Sequence, residues 1–419
     1  MLLLSLFSCN LFVEIMYFCA MKILQLCKKM PYPPKDGEAI AILNITKGLH
    51  ANGHEVPLLA MNTPKHHYKV KDLPKSIQKI AAFQTVFVDT GLSPMDAFGN
   101  LFTQKSYNLA RFFSKKYKAA LYDILQEQNF DVIHLEGLYL APYIKFIRQY
   151  SPAPIVMRAH NVEFEIWERL AKEQKNWLKK RYLNLLAIRM KYFEIRMLNR
   201  YDGLVPISVK DEAYFRKMGY IGPAYTIAAS VDAERYTVNH NYANWESVFF
   251  IGSLDWMPNQ KGLLWFLKEV WPQVYEKMPK VKFYIAGRNM PKWLETKLLP
   301  GVHMVGEVEH ATDFMQSKGI MIVPLFSGSG MRVKIIEAMA LGKPIVATSL
   351  AAEGIACTHK KNIMLGNNAN EFTEHIIELL QNKSLRNEIC HEARQFMLQN
   401  HDTNKLIQQL VHFYESLIR

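Results

Sequence analysis

After Met21 the sequence alternates short apolar runs with amphipathic stretches, and it does so twice, with a polar segment between the two series. No other feature restricts the fold as much. Neighbouring parallel strands need a crossover of a dozen or more residues, and a helix covering the sheet usually supplies it. Residues 22–27, 85–88, 131–135, 155–158 and 204–207 read as strands of a first sheet, the fourth entered through Ser151-Pro152-Ala153-Pro154. A helix is expected over 39–51. Asn52-Gly53 closes it, because glycine suits the left-handed cap that a side chain would strain. Residues 233–247 carry Asn239, Asn241 and Asn244 and read as a linker. The second series places strands at 248–251, 281–286, 320–325 and 344–347. Helices begin at 263 and span 332–341, and the remainder from about 371 is helical, ending in an amphipathic stretch over 405–418. The expected class is α/β, with units over 21–235 and 248–400.

A chain of 419 residues exceeds one ordinary core. Its 49% hydrophobic and 21% charged residues fit a folded protein rather than a disordered one. The net charge of +13 draws anionic partners. There is no Lys/Arg tail, zinc-finger spacing, RNA-recognition signature or basic zipper, so nucleic acid is not the expected partner. Phosphorylated small molecules and anionic membranes remain. The cysteines, Cys9, Cys19, Cys27, Cys357 and Cys390, are odd in number and lack metal-ligand spacing. This suits a reducing, cytoplasmic setting.

Residues 1–20 form an apolar extension interrupted by Glu14, and no basic region precedes it, unlike a secretory signal. Two readings stand: a membrane anchor followed by Lys22, Lys28 and Lys29, or an extension ahead of a true start at Met21. The second is expected, because residues 21–26 already read as a strand and an anchor would have no linker. Residues 175–200 form a basic helix with eight Lys or Arg and one acid, Glu194, and with apolar Leu178, Leu185, Ile188, Tyr192 and Ile195. It is expected to be a solvated amphipathic helix packed on its domain; a surface facing an anionic membrane is the alternative, with peripheral contact at the inner face of the cell membrane.

The most informative segment runs from 320 to 348. An apolar strand enters Ser327-Gly328-Ser329-Gly330, and a helix starts at once. A helix N-terminus presents unpaired amides and the positive end of the dipole, which attract phosphate. Arg332 and Lys334 add formal charge, Arg as a bidentate fork and Lys as a point charge. Glu337 lies one turn beyond Lys334 on the same face. A carboxylate beside a phosphate site makes sense if it accepts from ribose hydroxyls.

From Gly330 to Ala347 the sequence resembles the donor-site signature of group 1, family-4-type retaining glycosyltransferases. Agreement extends to Gly37 with Gly53-His54-Glu55-Val56, to Ala159-His160-Asn161-Val162-Glu163, to residues 252–259, and to Ile285-Ala286-Gly287. The resemblance covers essentially everything from Met21 onward. It implies the GT-B architecture: two Rossmann-like domains with parallel sheets facing across a cleft, acceptor on the first, nucleotide on the second, and the last helix returning to the first domain. It also implies a nucleotide diphosphate sugar as donor, with no further cofactor, and a saccharide or lipid-linked acceptor in bacterial surface polysaccharide or glycolipid synthesis. Where most of the family carries the first glutamate of a Glu-x7-Glu motif, this chain has Ser329, as in a branch with a Gly/Ser loop before Arg-x-Lys.

The resemblance puts His160 beside the donor sugar, just past a strand end where open α/β sheets bind ligands. Glu163 either contacts acceptor or caps the next helix. Asn161 and His134 are further acceptor-side candidates, Gly37 lets the first loop approach the diphosphate, and Lys261 is an additional phosphate contact. No Asp-x-Asp pair occurs, so no metal is expected, and basic residues would neutralise the leaving group. Retention without an evident nucleophile favours a same-face displacement. A nucleotide-sugar-binding protein without transfer and a nucleotide-sugar epimerase are the alternatives. A nicotinamide dehydrogenase is disfavoured, because the loop after the first strand lacks Gly-x-Gly-x-x-Gly.

Overall fold

The computed structural model describes residues 20–34, 36–91, 99–100, 106–239, 243–295, 299–328 and 330–418. Residues 1–19 of the apolar extension and Ser329 lie outside the described residues. The first domain is built on β1 (Ile23–Cys27), β2 (Leu58–Asn62), β3 (Phe83–Phe87), β4 (Val132–Glu136), β5 (Ile155–Ala159) and β6 (Gly203–Pro206). They pair in parallel in the order β3-β2-β1-β4-β5-β6. Strands β1, β2, β4 and β5 are buried along their whole length, which is why they read as continuous runs rather than alternating ones.

The second domain carries β7 (Asn244–Ile251), β8 (Lys282–Ala286), β9 (Val302–Gly306), β10 (Lys318–Val323), β11 (Ile345–Ala347) and β12 (Met364–Leu365). Their order is β12-β11-β10-β7-β8-β9, again all parallel. Each sheet reverses direction once, between β1 and β4 and between β7 and β10. Ligands bind in the crevice that opens beyond the strand ends at such a point.

The chain crosses between domains at two adjacent places that are bonded to each other. The Val231 amide donates to His401 O at 3.0 Å and the Thr403 amide to Val231 O at 3.1 Å. Ala233 N donates to Asp402 Oδ1 at 3.2 Å. Val231 and Ala233 already belong to the second core, so the crossing precedes the polar stretch read as a linker. That stretch also contains the start of β7. Its first residues are largely exposed and polar, yet Asn244 pairs with Lys318 of β10.

The last helix, Thr403–Ile418, lies across the first sheet. Leu406, Ile407, Leu410, Val411, Phe413 and Tyr414 share a core with Ile23, Val132, Val156 and Val205. The 3.6-residue period of these positions makes one apolar stripe. Gly48 of the helix Gly37–Ala51 permits the close approach, because a Cβ there would sit 2.4 Å from Ile407 Cγ1.

The basic helix spans Trp177–Met197, and its buried residues are Leu186, Ala187, Met190 and Glu194. Leu178, Ile188, Tyr192 and Ile195, the apolar positions expected to pack, face outward instead. Glu194 is turned inward, where its carboxylate accepts from the Glu163 and Phe164 amides at 3.2 Å each and caps the helix Glu163–Glu173. Among the described residues no helix is long and apolar enough to cross a membrane.

Candidate active site

The first wall of the cleft is made where β1, β4 and β5 end. Beyond β1 the chain turns through Lys28 and Lys29 toward the helix Gly37–Ala51, whose N-cap Asp36 accepts from Ala39 N. Lys29 Nζ lies 2.7 Å from Asp36 and 3.1 Å from Glu38, and Lys28 Nζ lies 3.2 Å from Glu38 and 3.9 Å from Glu163. Burial pushes the Lys28 ammonium down, but Glu38 and Glu163 outweigh it and hold the group above its usual range. Burial likewise pushes Glu38 up, and Lys28, His160 and Lys29 more than offset it. The result is a packed ionic floor.

His160 follows β5 directly and is only 6% exposed. Its Nε2 lies 2.7 Å from Oε2 of Glu136, the last residue of β4. Glu136 is fully buried and accepts from Gln25 Nε2 at 2.6 Å; His134 Nε2 stands 3.2 Å away. Burial raises the Glu136 carboxyl, yet His134 and His160 together hold it well below the usual carboxylate range. An ionised carboxylate bonded by Gln25 and His160, with His134 beside it, is how a fold tolerates a buried charge.

The second wall is made where β7 and β10 end. After β10 the chain passes Gly328 at φ +105° and Gly330 at φ +88°, conformations that side chains strain to adopt. Arg332 then caps the helix Val333–Ala340. Its guanidinium donates to Gly330 O and lies 5.4 Å from the Trp256 ring. Lys334 Nζ donates to Ile251 O at 3.1 Å and sits 4.5 Å over the Phe250 ring. Burial, reinforced by Arg332, pushes the Lys334 ammonium down to about 7 against the opposing pull of Glu337. Glu337 Oε1 accepts from Tyr236 OH at 3.1 Å, and burial raises its carboxyl despite Tyr236 and Lys334. A partly desolvated Arg and Lys beside a carboxylate suit an anion that also carries hydroxyls.

The two walls meet. Asn161 and Val162 border one opening opposite Gly330 and Met331, and Lys210 Nζ reaches Glu353 Oε1 across it at 2.5 Å. Asn44 and Lys47 border another, opposite Tyr236 and Glu337. Asn161, Gly330 and Glu337 thus border these openings; His160 lines a small pocket of the first domain beside Asn161 and Glu163, and Arg332 and Lys334 follow Gly330 at the start of their helix.

Other expected residues stand elsewhere. His134 is buried in the core: its Nδ1 is 2.5 Å from Tyr414 OH and its Nε2 faces Glu136, so it backs the carboxylate instead of meeting an acceptor. Glu163 is buried against Lys28, and its amide, not its side chain, takes part in the helix cap. Lys261 is exposed on the helix Met257–Trp265. Gly37 opens its helix with no atom within 4 Å of where a Cβ would stand.

Glu136, Lys28, Glu38, Tyr236 and Trp256 were not singled out from the sequence. Glu136 had a readable signal: an ionisable residue closing a fully buried strand at the end where ligands bind. Tyr236 had none, since its partner is 101 residues away.

Comparison with known proteins agrees with this geometry. The profile described as Glycosyltransferase Family 4 matches residues 36–235, and that described as Glycosyl transferases group 1 matches residues 246–382. An uncharacterized 44.6 kDa protein in the cps region of Klebsiella pneumoniae is 24% identical over 402 residues, 93% of this chain and 98% of that one. A phosphatidyl-myo-inositol mannosyltransferase of Mycobacterium leprae is 24% identical over 179 residues, 41% of this chain and 47% of that one. Among solved structures, sucrose-phosphate synthase of Thermosynechococcus elongatus superposes with a TM-score of 0.67 at 15% identity, covering 94% of this chain and 99% of that one. Anabaena HepE in complex with UDP-glucose gives 0.64 at 15% identity, covering 94% and 100%. The twin parallel sheets, the cleft between them and the two profiles, one on each domain, make this chain a GT-B glycosyltransferase of group 1, family-4 type.

Proposed function

We propose that the protein moves a sugar from a nucleoside diphosphate sugar to an acceptor hydroxyl, with retention, in the synthesis of a surface polysaccharide or glycolipid. The observation that carries this reading is the pairing of Arg332 and Lys334 on one wall of the cleft with His160 on the other. Arg332 and Lys334 hold the diphosphate and meet the charge that develops on it as the glycosidic bond breaks. Glu337 accepts from the ribose hydroxyls. Gly330 and Gly37 bring backbone close to the phosphates, Lys261 adds long-range attraction, and Ser329, by its place in the sequence motif, is proposed as a donor contact. Asn161 belongs to the acceptor side, and Glu163, buried against Lys28, shapes the floor beneath it. The leaving phosphate accepts the acceptor's proton on the same face, so no enzyme nucleophile is required. The cps-region relative supports the polysaccharide setting, and the complex of HepE with UDP-glucose supports the donor class.

A panel of nucleotide sugars tests the reading. Turnover is expected to release nucleoside diphosphate only when a saccharide or lipid-linked acceptor is present. Binding without release under any acceptor makes the protein a binder, and isomerised donor without acceptor makes it an epimerase; either overturns the proposal.

The outer face of the basic helix supports peripheral contact with an anionic bilayer at the inner face of the membrane. Ile188 and Tyr192 are 66% and 72% exposed one turn apart, and exposed Lys191 and Arg196 flank them. The helix's only acid, Glu194, is buried. Each Lys or Arg near such a surface contributes about 1 kcal/mol. Co-sedimentation with phosphatidylglycerol vesicles is expected, with loss in Ile188→Asp/Tyr192→Asp. Equal retention on phosphatidylcholine would remove the electrostatic basis.

A further inference from the structure

Behind the cleft wall, a file of side chains runs from the last helix of the chain to the ring of His160. Tyr414 OH is 2.5 Å from His134 Nδ1, His134 Nε2 is 3.2 Å from Glu136 Oε1, and Glu136 Oε2 is 2.7 Å from His160 Nε2. Gln25 Nε2 donates to Glu136 Oε1 at 2.6 Å, and Thr46 Oγ1 donates to Gln25 Oε1 at 2.7 Å, so the carboxylate is braced from β1 and from the helix Gly37–Ala51 as well. The ionised Glu136 fixes the proton at the inner end of this file, because a carboxylate can only accept from His160 Nε2. Burial and the nearby Glu136 keep Tyr414 neutral, so its hydroxyl can donate to Nδ1 of His134. His134 Nε2 stands 3.2 Å from Glu136 Oε1, beside the carboxylate rather than in a well-aligned hydrogen bond to it. Glu136, ionised, can only accept. His160 must therefore donate through Nε2, and its Nδ1 is the ring nitrogen left for a substrate.

We infer that Glu136 is the positioning residue for His160, fixing its tautomer and aiming its Nδ1 at the cleft, and that the returning helix reaches the same unit through Tyr414 and His134. In the neutral ring Nδ1 accepts from a sugar hydroxyl; in the protonated ring it donates. The C-terminal helix thus has two roles, covering the first sheet and holding the outer end of the file. The part concerning catalysis rests on the proposed transfer reaction, but the tautomer does not.

The charged groups that act on His160 are Glu136 from β4, Glu38 from the first helix and Glu163 from the helix beyond; Arg158 of β5 stands 3.9 Å from Glu136, and Lys28 after β1 pairs with Glu38 and Glu163. Replacing the Glu136 carboxylate by an amide keeps the shape and removes the acceptor-only character that sets the ring.

The test is ¹⁵N NMR of the imidazoles in the full chain, with the His160 resonance assigned by its absence in His160→Ala. The wild type is expected to show His160 protonated at Nε2, and Glu136→Gln to show a mixture of tautomers. An unchanged His160 resonance in Glu136→Gln overturns the inference, whether or not any transfer reaction has been found. In Tyr414→Phe the His134 resonance should move; if it does not, the outer part of the file is wrong. Once a donor and acceptor are in hand, Glu136→Gln should lower kcat about a hundredfold, as misplacement of a catalytic group does, and leave nucleoside diphosphate affinity within about twofold. The same substitution in a His160→Ala background should cost almost nothing further, because both residues act through one ring. Additive losses would assign Glu136 a separate role.

Discussion

Replacing Arg332 and Lys334 together by alanine is expected to lower the affinity for a nucleoside diphosphate by about 10²–10⁴-fold. Each residue supplies a charge-assisted contact of about 1.5–3 kcal/mol, and the pair sums to roughly two to four decades in Kd. The apo protein should not suffer equally. Lys334 is buried with its ammonium pushed down to about 7, so its removal also relieves an unfavourable burial. Titration calorimetry reads the affinity, and thermal unfolding without nucleotide confirms the fold. The same site carries a pH signature. Below about pH 7 Lys334 is already charged in the empty cleft and binding takes up no proton. Above that value a phosphate beside it restores the ammonium, so binding takes up one proton, and affinity falls about tenfold per pH unit until the bound-state value is passed. A terminal phosphate completes its own ionisation near pH 6, so measurements between about pH 7.5 and 9.5 isolate the lysine. The slope should vanish in Lys334→Ala. Unchanged affinity in the double variant would remove both residues from the phosphate site.

This half of the cleft was legible in the sequence because its residues are contiguous. The strand, the Gly/Ser loop and Arg332, Lys334 and Glu337 lie within one βα unit, and local spacing fixes where they point. The other half was only partly legible. His160 could be placed at a strand end, but Glu136, which holds it, stands 24 residues earlier on the adjacent strand. Strand order, not spacing, makes them neighbours. His134 is expected on the acceptor side because it lies near the end of a first-domain strand; its inward direction depends on Tyr414, 280 residues away.

The fold followed the same rule. Strands rich in branched residues, such as Ile155–Ala159, were plain, whereas β2 is Leu-Leu-Ala-Met-Asn and carries little β-propensity. Edge strand β9 is half-exposed and β12 has two residues, too short for a period. The basic helix misled in the opposite way. Of its apolar positions Leu178, Leu185, Ile188, Tyr192 and Ile195 only Leu185 is half-buried, whereas Leu186, Ala187 and Met190 make the contact, and the lone acid is a buried cap. An apolar stripe locates a face of a helix without saying whether the partner is the protein's own core.

His160→Ala is expected to lower kcat by about 10²–10³-fold while nucleoside diphosphate affinity stays the same. A positioned acid–base or hydrogen-bonding group is worth about that much, and the nucleotide contacts lie on the opposite wall. The substitution has a structural cost that must be separated from the catalytic one. Glu136 loses a donor, and an undersatisfied buried acceptor costs about 1–3 kcal/mol, so the melting temperature should fall. His160→Asn keeps an amide donor that can face Glu136 and lacks the ring. It should recover most of the stability and little of the rate. If Asn restores turnover along with stability, His160 is a strut of the wall; if turnover stays low in a protein that melts normally, the ring itself meets the substrate. The second outcome is the expected one, because the pairs that Lys28 makes with Glu38 and Glu163 beneath the ring remain when the imidazole is removed.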